Sequence, residues 1–199
     1  MEIDRKTSAL LVMDLQHDIV APTGVFGSQG PAAAVAETGV LNTCAQALHT
    51  ARSAGLPVIH VGVATREGQA INTSSAQLAP LAEHGVLDAG SPGCAFMAEV
   101  APIPDEFIVM KAAISAFAGT DLDAHLRNSG IRHLILCGFA TNFVIEGTAR
   151  QAVDAGYAVT ILTDGCCSFD PRWHSLALEV LALLTTLTTT TELEVALAK

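Results

Sequence analysis

The chain has 199 residues, of which 50% are hydrophobic and 15% are charged, and its formal net charge is -10. A chain of this length buries roughly 70% of its unfolded surface, so it needs no disulfide or metal to stabilise its core. Its acidity would repel nucleic acid and anionic membranes, and we expect neither as a partner. The length predicts one domain over residues 1–199.

The cysteines show neither metal-ligand spacing nor a C-x-x-C redox pair. Their odd number, and an N-terminus without the apolar core of a signal peptide, predict reduced thiols and a cytoplasmic protein. No apolar run approaches the roughly 20 residues that span a bilayer. The five cysteines are Cys44, Cys94, Cys137, Cys166 and Cys167.

Short apolar strands alternate with helical stretches along the chain. The pattern predicts strands over residues 9–13, 57–63, 107–110, 134–137 and 158–162, and an edge strand over 185–190. It predicts helices over residues 31–54, 121–128, 142–154 and 171–184, and a short helix closing the chain. This alternation is typical of a doubly wound α/β fold, a mostly parallel sheet of about six strands with helices on both faces. Residues 64–104 are less regular, which indicates a functional loop or a lid.

Ligands bind beyond the carboxyl ends of the strands in open α/β sheets, so the residues that leave each strand are candidates for a site. The first strand is followed by Asp14, the third ends in Lys111 and the fifth ends in Asp164. An amine leaving a neighbouring strand can hold a carboxylate ionised, and that carboxylate can then transfer protons. Taken singly, an aspartate in this place is more often a turn or cap residue, and a lysine is more often a solvated side chain.

The turn after the fourth strand reads GFATN over residues 138–142 and leads into a helix. Backbone N–H groups at a helix N-terminus suit a developing oxyanion. The turn does not belong to a G-x-G-x-x-G motif and the chain has no P-loop, so we expect no nucleotide cofactor.

These pieces together resemble the isochorismatase-like hydrolase superfamily, which includes nicotinamidases, N-carbamoylsarcosine and ureidoacrylate amidohydrolases, and true isochorismatases. Several short motifs recur in the superfamily's order between residues 9 and about 170. They are residues 9–16 (ALLVMDLQ), Lys111, residues 115–117 (SAF), 120–122 (TDL), 138–143 (GFATNF), 148–150 (TAR), 155–157 (AGY) and 164–166 (DGC).

The resemblance implies roles for individual residues. Asp14 matches the superfamily's acid/base and Lys111 matches its partner. Gln16 and Phe143 are expected to contact the substrate.

The resemblance also implies a structure for the turn. The Phe139–Ala140 bond matches a non-proline cis peptide, with Thr141 in the same turn. The N–H groups of Ala140 and Val144 match the oxyanion hole of the amidase members.

The chain departs from the superfamily pattern at Val144, where the cysteine hydrolases carry their nucleophile. An isopropyl group cannot attack a substrate. Cys137 is expected in the core, whereas Cys166 and Cys167 follow the fifth strand, nearer the site.

The metal ligands of nicotinamidases are also missing from the pattern. Residues 64–68 read ATREG in place of an Asp-x-His pair, and His60 falls inside the second strand, where a core role is expected. We therefore expect no metal.

The favoured interpretation is a small-molecule hydrolase that uses Asp14 without covalent catalysis, as isochorismatases do when they cleave a vinyl ether. A binding or regulatory homologue without activity is an alternative, and so is an engineered cysteine-to-valine variant of an amidohydrolase. Only Arg66 and Arg150 are candidate cations for an anionic substrate. The resemblance also implies a homodimer or homotetramer.

Overall fold

The computed structural model describes residues 3–65, 74–76, 78–79 and 86–198. Within these ranges the strands form one six-stranded sheet in the order β3-β2-β1-β4-β5-β6, and each neighbouring pair is parallel. The strands are β1 (Ser8–Met13), β2 (Val58–Val63), β3 (Phe107–Lys111), β4 (His133–Phe139), β5 (Ala158–Cys167) and β6 (Thr186–Thr188).

Helices connect successive strands of this sheet. The α-helices are α1 (His17–Val20), α2 (Pro31–Thr38), α3 (Val40–Ser53), α4 (Leu122–Asn128), α5 (Glu146–Asp154), α6 (Pro171–Leu181) and α7 (Thr190–Leu197). Short 3-10 helices cover Gly27–Gln29, Pro92–Cys94 and Ala98–Val100, and a π-helical turn covers Thr141–Ile145.

The central strand β1 is buried on both faces, as its continuous apolar sequence predicts. Leu11 on one face packs in a core with α4, α5 and α6. Leu10 on the other face packs in a core with α3 and α7. The predicted α/β fold, a parallel sheet of six strands with helices on both faces, is confirmed.

Several predicted elements have different bounds in the structure. The helix predicted over residues 31–54 is two helices, because Gly39 adopts a left-handed φ of 68°. The helix predicted to end at residue 184 ends at Leu181. The fifth strand continues to Cys167 instead of ending at Asp164.

Asp164 therefore lies inside β5 and does not lead to the site. Its carboxylate accepts a hydrogen bond from the backbone N–H of Thr190 at 2.9 Å and another from the Thr190 hydroxyl at 3.1 Å. It holds the first residue of α7, which explains why a carboxylate occurs in the strand.

No helix among the described residues is long and apolar enough to span a bilayer.

Gly138 in β4 allows a close approach of this strand to β1. Its φ is 132°, and a Cβ built there would lie 2.1 Å from the carbonyl oxygen of Met13. We expect Gly138→Ala to lower the free energy of unfolding by about 3 kcal/mol or more, because neither backbone can move without breaking the β1–β4 ladder.

Gly130→Ala is the matched control for this prediction. Gly130 also has a positive φ, 71°, but a Cβ there meets no atom within 4 Å. Its cost should be limited to about 1–2 kcal/mol for the left-handed conformation. Denaturant unfolding of both variants measures the difference, and equal losses would contradict the close-packing explanation.

Candidate active site

An aspartate and a lysine meet above the carboxyl edge of the sheet. Asp14 directly follows β1 and adopts a left-handed φ of 55°, while Lys111 is the last residue of β3. The lysine Nζ donates to the aspartate Oδ2 at 2.8 Å. The convergence predicted from the sequence is thus present, but the two strands are not neighbours, since β2 lies between them. Strands are spaced about 4.8 Å apart, so β1 and β3 lie about 10 Å apart, and the side chains of Asp14 and Lys111 together bridge that distance over β2.

The pair is buried, and this burial determines its electrostatics. The side chains of Lys111 and Asp14 are 1% and 9% exposed. Burial raises the pKa of the Asp14 carboxyl, and the charge and hydrogen bond of Lys111 oppose the rise without cancelling it. Within the described residues Oδ1 of Asp14 has no hydrogen-bond partner. One carboxylate oxygen is thus held by the lysine, and the other is buried with no partner among the described residues.

The turn after β4 forms the adjacent wall. The Phe139–Ala140 peptide is cis, as the resemblance to the superfamily implies. The π-helical turn Thr141–Ile145 then leads into α5, so that the first N–H groups of the turn lie at a helix N-terminus. The hydroxyl of Thr141 lies 2.8 Å from Nδ1 of His174 on α6, and this contact fixes the turn from behind.

These elements enclose a cavity whose wall is largely apolar. It brings together six of the predicted site residues: Asp14, Lys111, Phe139, Ala140, Phe143 and Val144. It also exposes apolar side chains that the sequence analysis did not select: Ile19, Phe26, Val63, Leu78, Leu87, Ala113, Ile114 and Phe169. Phe169 could have been selected from the sequence, because it follows the carboxyl end of β5, but only if that strand is predicted to continue to Cys167. Phe26 lies in an irregular segment, and no sequence pattern marks it as a site residue.

Gln16 and Thr141 are predicted site residues that do not line this cavity. The amide of Gln16 is buried, donates to the carbonyls of Val63 and Cys94 at 2.9 Å each, and accepts from the Val63 N–H at 2.7 Å. It lies against Gly62, where a Cβ would come within 2.9 Å of it. The structure thus gives Gln16 a scaffolding position at the end of β2, and its contact with substrate stays a prediction.

Cysteines do not occur among the described residues that line the cavity, and the position beside Asp14 and Lys111 is filled by Val144, which is 1% exposed. Cys94 lies behind the wall, where its thiol donates to the carbonyl of Leu87 at 3.1 Å. Burial raises the pKa of the Cys94 thiol.

Cys137, Cys166 and Cys167 are buried in the core and do not line the cavity. This confirms the expectation for Cys137 and places the other two away from the cavity wall. Burial also raises the pKa of both the Cys166 and the Cys167 thiol.

The structure describes only one of the two residues that were predicted as cations for an anionic substrate. Arg150 lies on α5 and pairs with Glu146 at 2.9 Å, one helical turn away, so it serves its own helix. Arg66 falls outside the described residues.

Among the described residues, His60 belongs to no set of metal ligands, and burial lowers its pKa. Its ring is fully buried, with Nε2 2.8 Å from Glu106, and it belongs to the core. The described residues contain no group of three or more side chains that could hold a metal ion.

Sequence comparison places this arrangement in a known family. The profile of the isochorismatase domain matches residues 8–192. The chain belongs to the isochorismatase family. An uncharacterised isochorismatase family protein of Escherichia coli O157:H7, YecD, is 31% identical over 182 residues, which cover 88% of this chain and 87% of the relative.

Two further relatives carry more specific names. The ureidoacrylate amidohydrolase RutB of Caulobacter vibrioides is 29% identical over 179 residues, covering 82% of this chain and 78% of the relative. The crystal structure of a cysteine hydrolase from Pseudomonas syringae superimposes with a TM-score of 0.89 at 25% identity, covering all of this chain and 95% of the other.

The buried bonds of Gln16 lead to a stability prediction. Gln16→Leu leaves the Val63 N–H and the Cys94 carbonyl without the partner that Gln16 supplies, and leaves the Val63 carbonyl only the weak Cys94 thiol donor, so we expect the free energy of unfolding to fall by about 2–4 kcal/mol. Gln29→Leu removes an exposed glutamine that bonds to the Val25 carbonyl, and should cost less than about 1 kcal/mol. Chemical denaturation separates the two roles: unchanged stability with a raised KM would instead favour substrate binding by Gln16.

Proposed function

We propose that this isochorismatase-family hydrolase cleaves a small molecule with water and without a cysteine nucleophile, and that Asp14 is its general acid/base. The bond cleaved is a vinyl ether or another C–O or C–N bond. The observation that carries the proposal is the buried pair, in which Lys111 holds one oxygen of Asp14 and the other oxygen has no partner among the described residues.

The environment of Asp14 suits proton donation. A carboxyl whose pKa is raised by burial keeps its proton at a higher pH than an exposed aspartate. When it gives that proton to a substrate, the carboxylate that forms lies 2.8 Å from the lysine ammonium. Lys111 thus stabilises the conjugate base at the moment when it is created.

For a vinyl ether, each step can be written with this one acid. Asp14 protonates the terminal vinyl carbon, and the substrate becomes an oxocarbenium ion. Water adds to that ion and returns a proton to the Asp14 carboxylate. The resulting hemiacetal breaks down into a carbonyl compound and an alcohol, with no covalent bond to the protein.

For an amide or ester, Asp14 would act first as a base on water. The oxyanion of the tetrahedral intermediate would accept hydrogen bonds from the N–H groups of Ala140 and Val144 at the start of the turn. Both routes need Asp14 and neither needs a thiol.

The expected effect of Asp14→Asn is a loss of turnover by about 10²–10⁴-fold, because the amide cannot transfer the proton. The assay is a panel of vinyl ethers, amides, ureides and esters. The buried Lys111 loses its counter-ion in this variant at a cost of about 3–5 kcal/mol, so rates are compared below the unfolding transition.

Asp123→Asn is the control, since Asp123 is a half-exposed residue of α4 that pairs with Arg127 and accepts a hydrogen bond from Tyr157, and it does not line the cavity. It should keep wild-type rates. Wild-type turnover that survives in Asp14→Asn would contradict the role of Asp14, and a wild type that turns over none of the panel would favour the inactive binding homologue.

A second prediction concerns Cys94, whose thiol is held behind the cavity by the Leu87 carbonyl. Cys94→Ala should keep kcat within about threefold of wild type, because a buried thiol with a raised pKa is a poor nucleophile. Mass spectrometry of the protein during turnover should find no covalent adduct. A loss of activity by about 10³-fold or more, together with an adduct on Cys94 in the wild type, would show that a displaced cysteine is the nucleophile.

We further propose that the protein works as a cytoplasmic homodimer or homotetramer. Its cysteines are free and buried, as in a reducing compartment. Trp173 and Leu176 on α6 and Leu183 just beyond it are exposed at 44%, 59% and 83%, and an assembly of subunits would cover them.

A further inference from the structure

The cavity next to Asp14 has an aromatic wall. Phe169 is central to it, with ring centroids 5.8 Å from Phe143 and 6.0 Å from Phe139, and all three residues line the cavity. Phe26 lines it as well. Rings in such tilted arrangements can receive a further ring or a branched alkyl group by edge and face contacts.

The charges of the cavity are already matched to each other. Among its described lining residues the ionisable side chains are Asp14 and Lys111, and they are paired at 2.8 Å. A carboxylate entering the cavity would lose its hydration, and once Asp14 has given up its proton two carboxylates would compete for the one lysine. A buried charge without a partner is strongly disfavoured, so such a ligand would be rejected.

Elsewhere near the turn, Arg150 does not change this balance, because it is engaged by Glu146 on its own helix. The carboxylate-rich substrates of isochorismatases would therefore find no free cation on the described wall.

We infer that the substrate of this site presents an uncharged aromatic or branched aliphatic group to the cavity, with no carboxylate on the group that enters it. The juxtaposition of a self-neutralised ion pair with the rings of Phe143 and Phe169 carries this inference, which rests on the proposed function. Phe169 is assigned as a residue that determines specificity.

The test uses two ligands that differ only in one charge and cannot react. Ethoxybenzene and 4-ethoxybenzoate are saturated analogues of aryl vinyl ethers, so their binding is measured without turnover. Isothermal titration calorimetry should give the wild type at least tenfold tighter binding of ethoxybenzene. Phe169→Ala should weaken ethoxybenzene binding by about tenfold while leaving 4-ethoxybenzoate weak.

Asp14→Asn gives the sharpest change, because it leaves the lysine charge unmatched. In this variant the affinity for 4-ethoxybenzoate should rise at least tenfold, and that for ethoxybenzene should change little. An unchanged ratio of the two affinities in a folded Asp14→Asn protein would contradict the argument from charge.

Ile114→Arg supplies a second test that keeps the pair intact. Ile114 lines the cavity and is only partly buried, so a cation is tolerated there. This variant should gain 4-ethoxybenzoate binding, whereas the uncharged control Ile114→Met should keep the wild-type preference. Wild-type preference for the carboxylate, lost in Arg66→Ala, would overturn the inference.

Turnover is measured separately, with phenyl vinyl ether and 4-vinyloxybenzoate. Tight binding of the neutral analogue without any turnover of phenyl vinyl ether would leave the substrate class standing and count against vinyl ether hydrolysis. Faster turnover of 4-vinyloxybenzoate would support the hydrolase and contradict the neutral substrate.

Discussion

The buried ion pair between Asp14 and Lys111 is the interaction on which the rest of the site depends. Removing two charges from water is costly, and their mutual attraction offsets that cost only if the geometry is held closely. The side chains come from the ends of β1 and β3 and meet at 2.8 Å over β2, which lies between these strands. Burial favours the protonated form of the Asp14 carboxyl, and the Lys111 ammonium favours the ionised form. The carboxyl can therefore exist in both states.

The scaffold around the pair keeps its strands in register. Gln16 bonds both the N–H and the carbonyl of Val63, which ties the chain after β1 to the end of β2 beneath the lysine. On the other side, Gly138 lets β4 approach β1 at Met13, and the turn that follows carries Val144 to the cavity. A small shift of β2 or β4 relative to β1 would disturb the strand ends that hold the two charges together. The same contacts therefore support both stability and the proposed chemistry.

Much of the fold could be predicted from the sequence, because apolar runs and glycine stops mark buried strands and helix ends. The pair of Asp14 and Lys111 could be predicted as well, since both follow strands. Strand order could not, because periodicity carries no information on which strands are neighbours. The hydrogen bonds of Gln16 and the aromatic wall around Phe169 depend on tertiary packing, which the sequence pattern does not reveal. The motif position of Val144 indicates that a cysteine is missing there, but not which residues surround that position.

The central claim is that Asp14 can hold a proton because it is buried, even though a lysine beside it favours the ionised form. A ¹³C NMR titration of the Asp14 side-chain carboxyl tests this directly, in the wild type and in Lys111→Met. We predict a midpoint above that of an ordinary aspartate, a still higher midpoint in Lys111→Met, and a vinyl ether kcat/KM that falls as pH rises through the wild-type midpoint. A carboxyl that titrates at or below the ordinary value, or whose midpoint does not respond to Lys111→Met, would contradict the account.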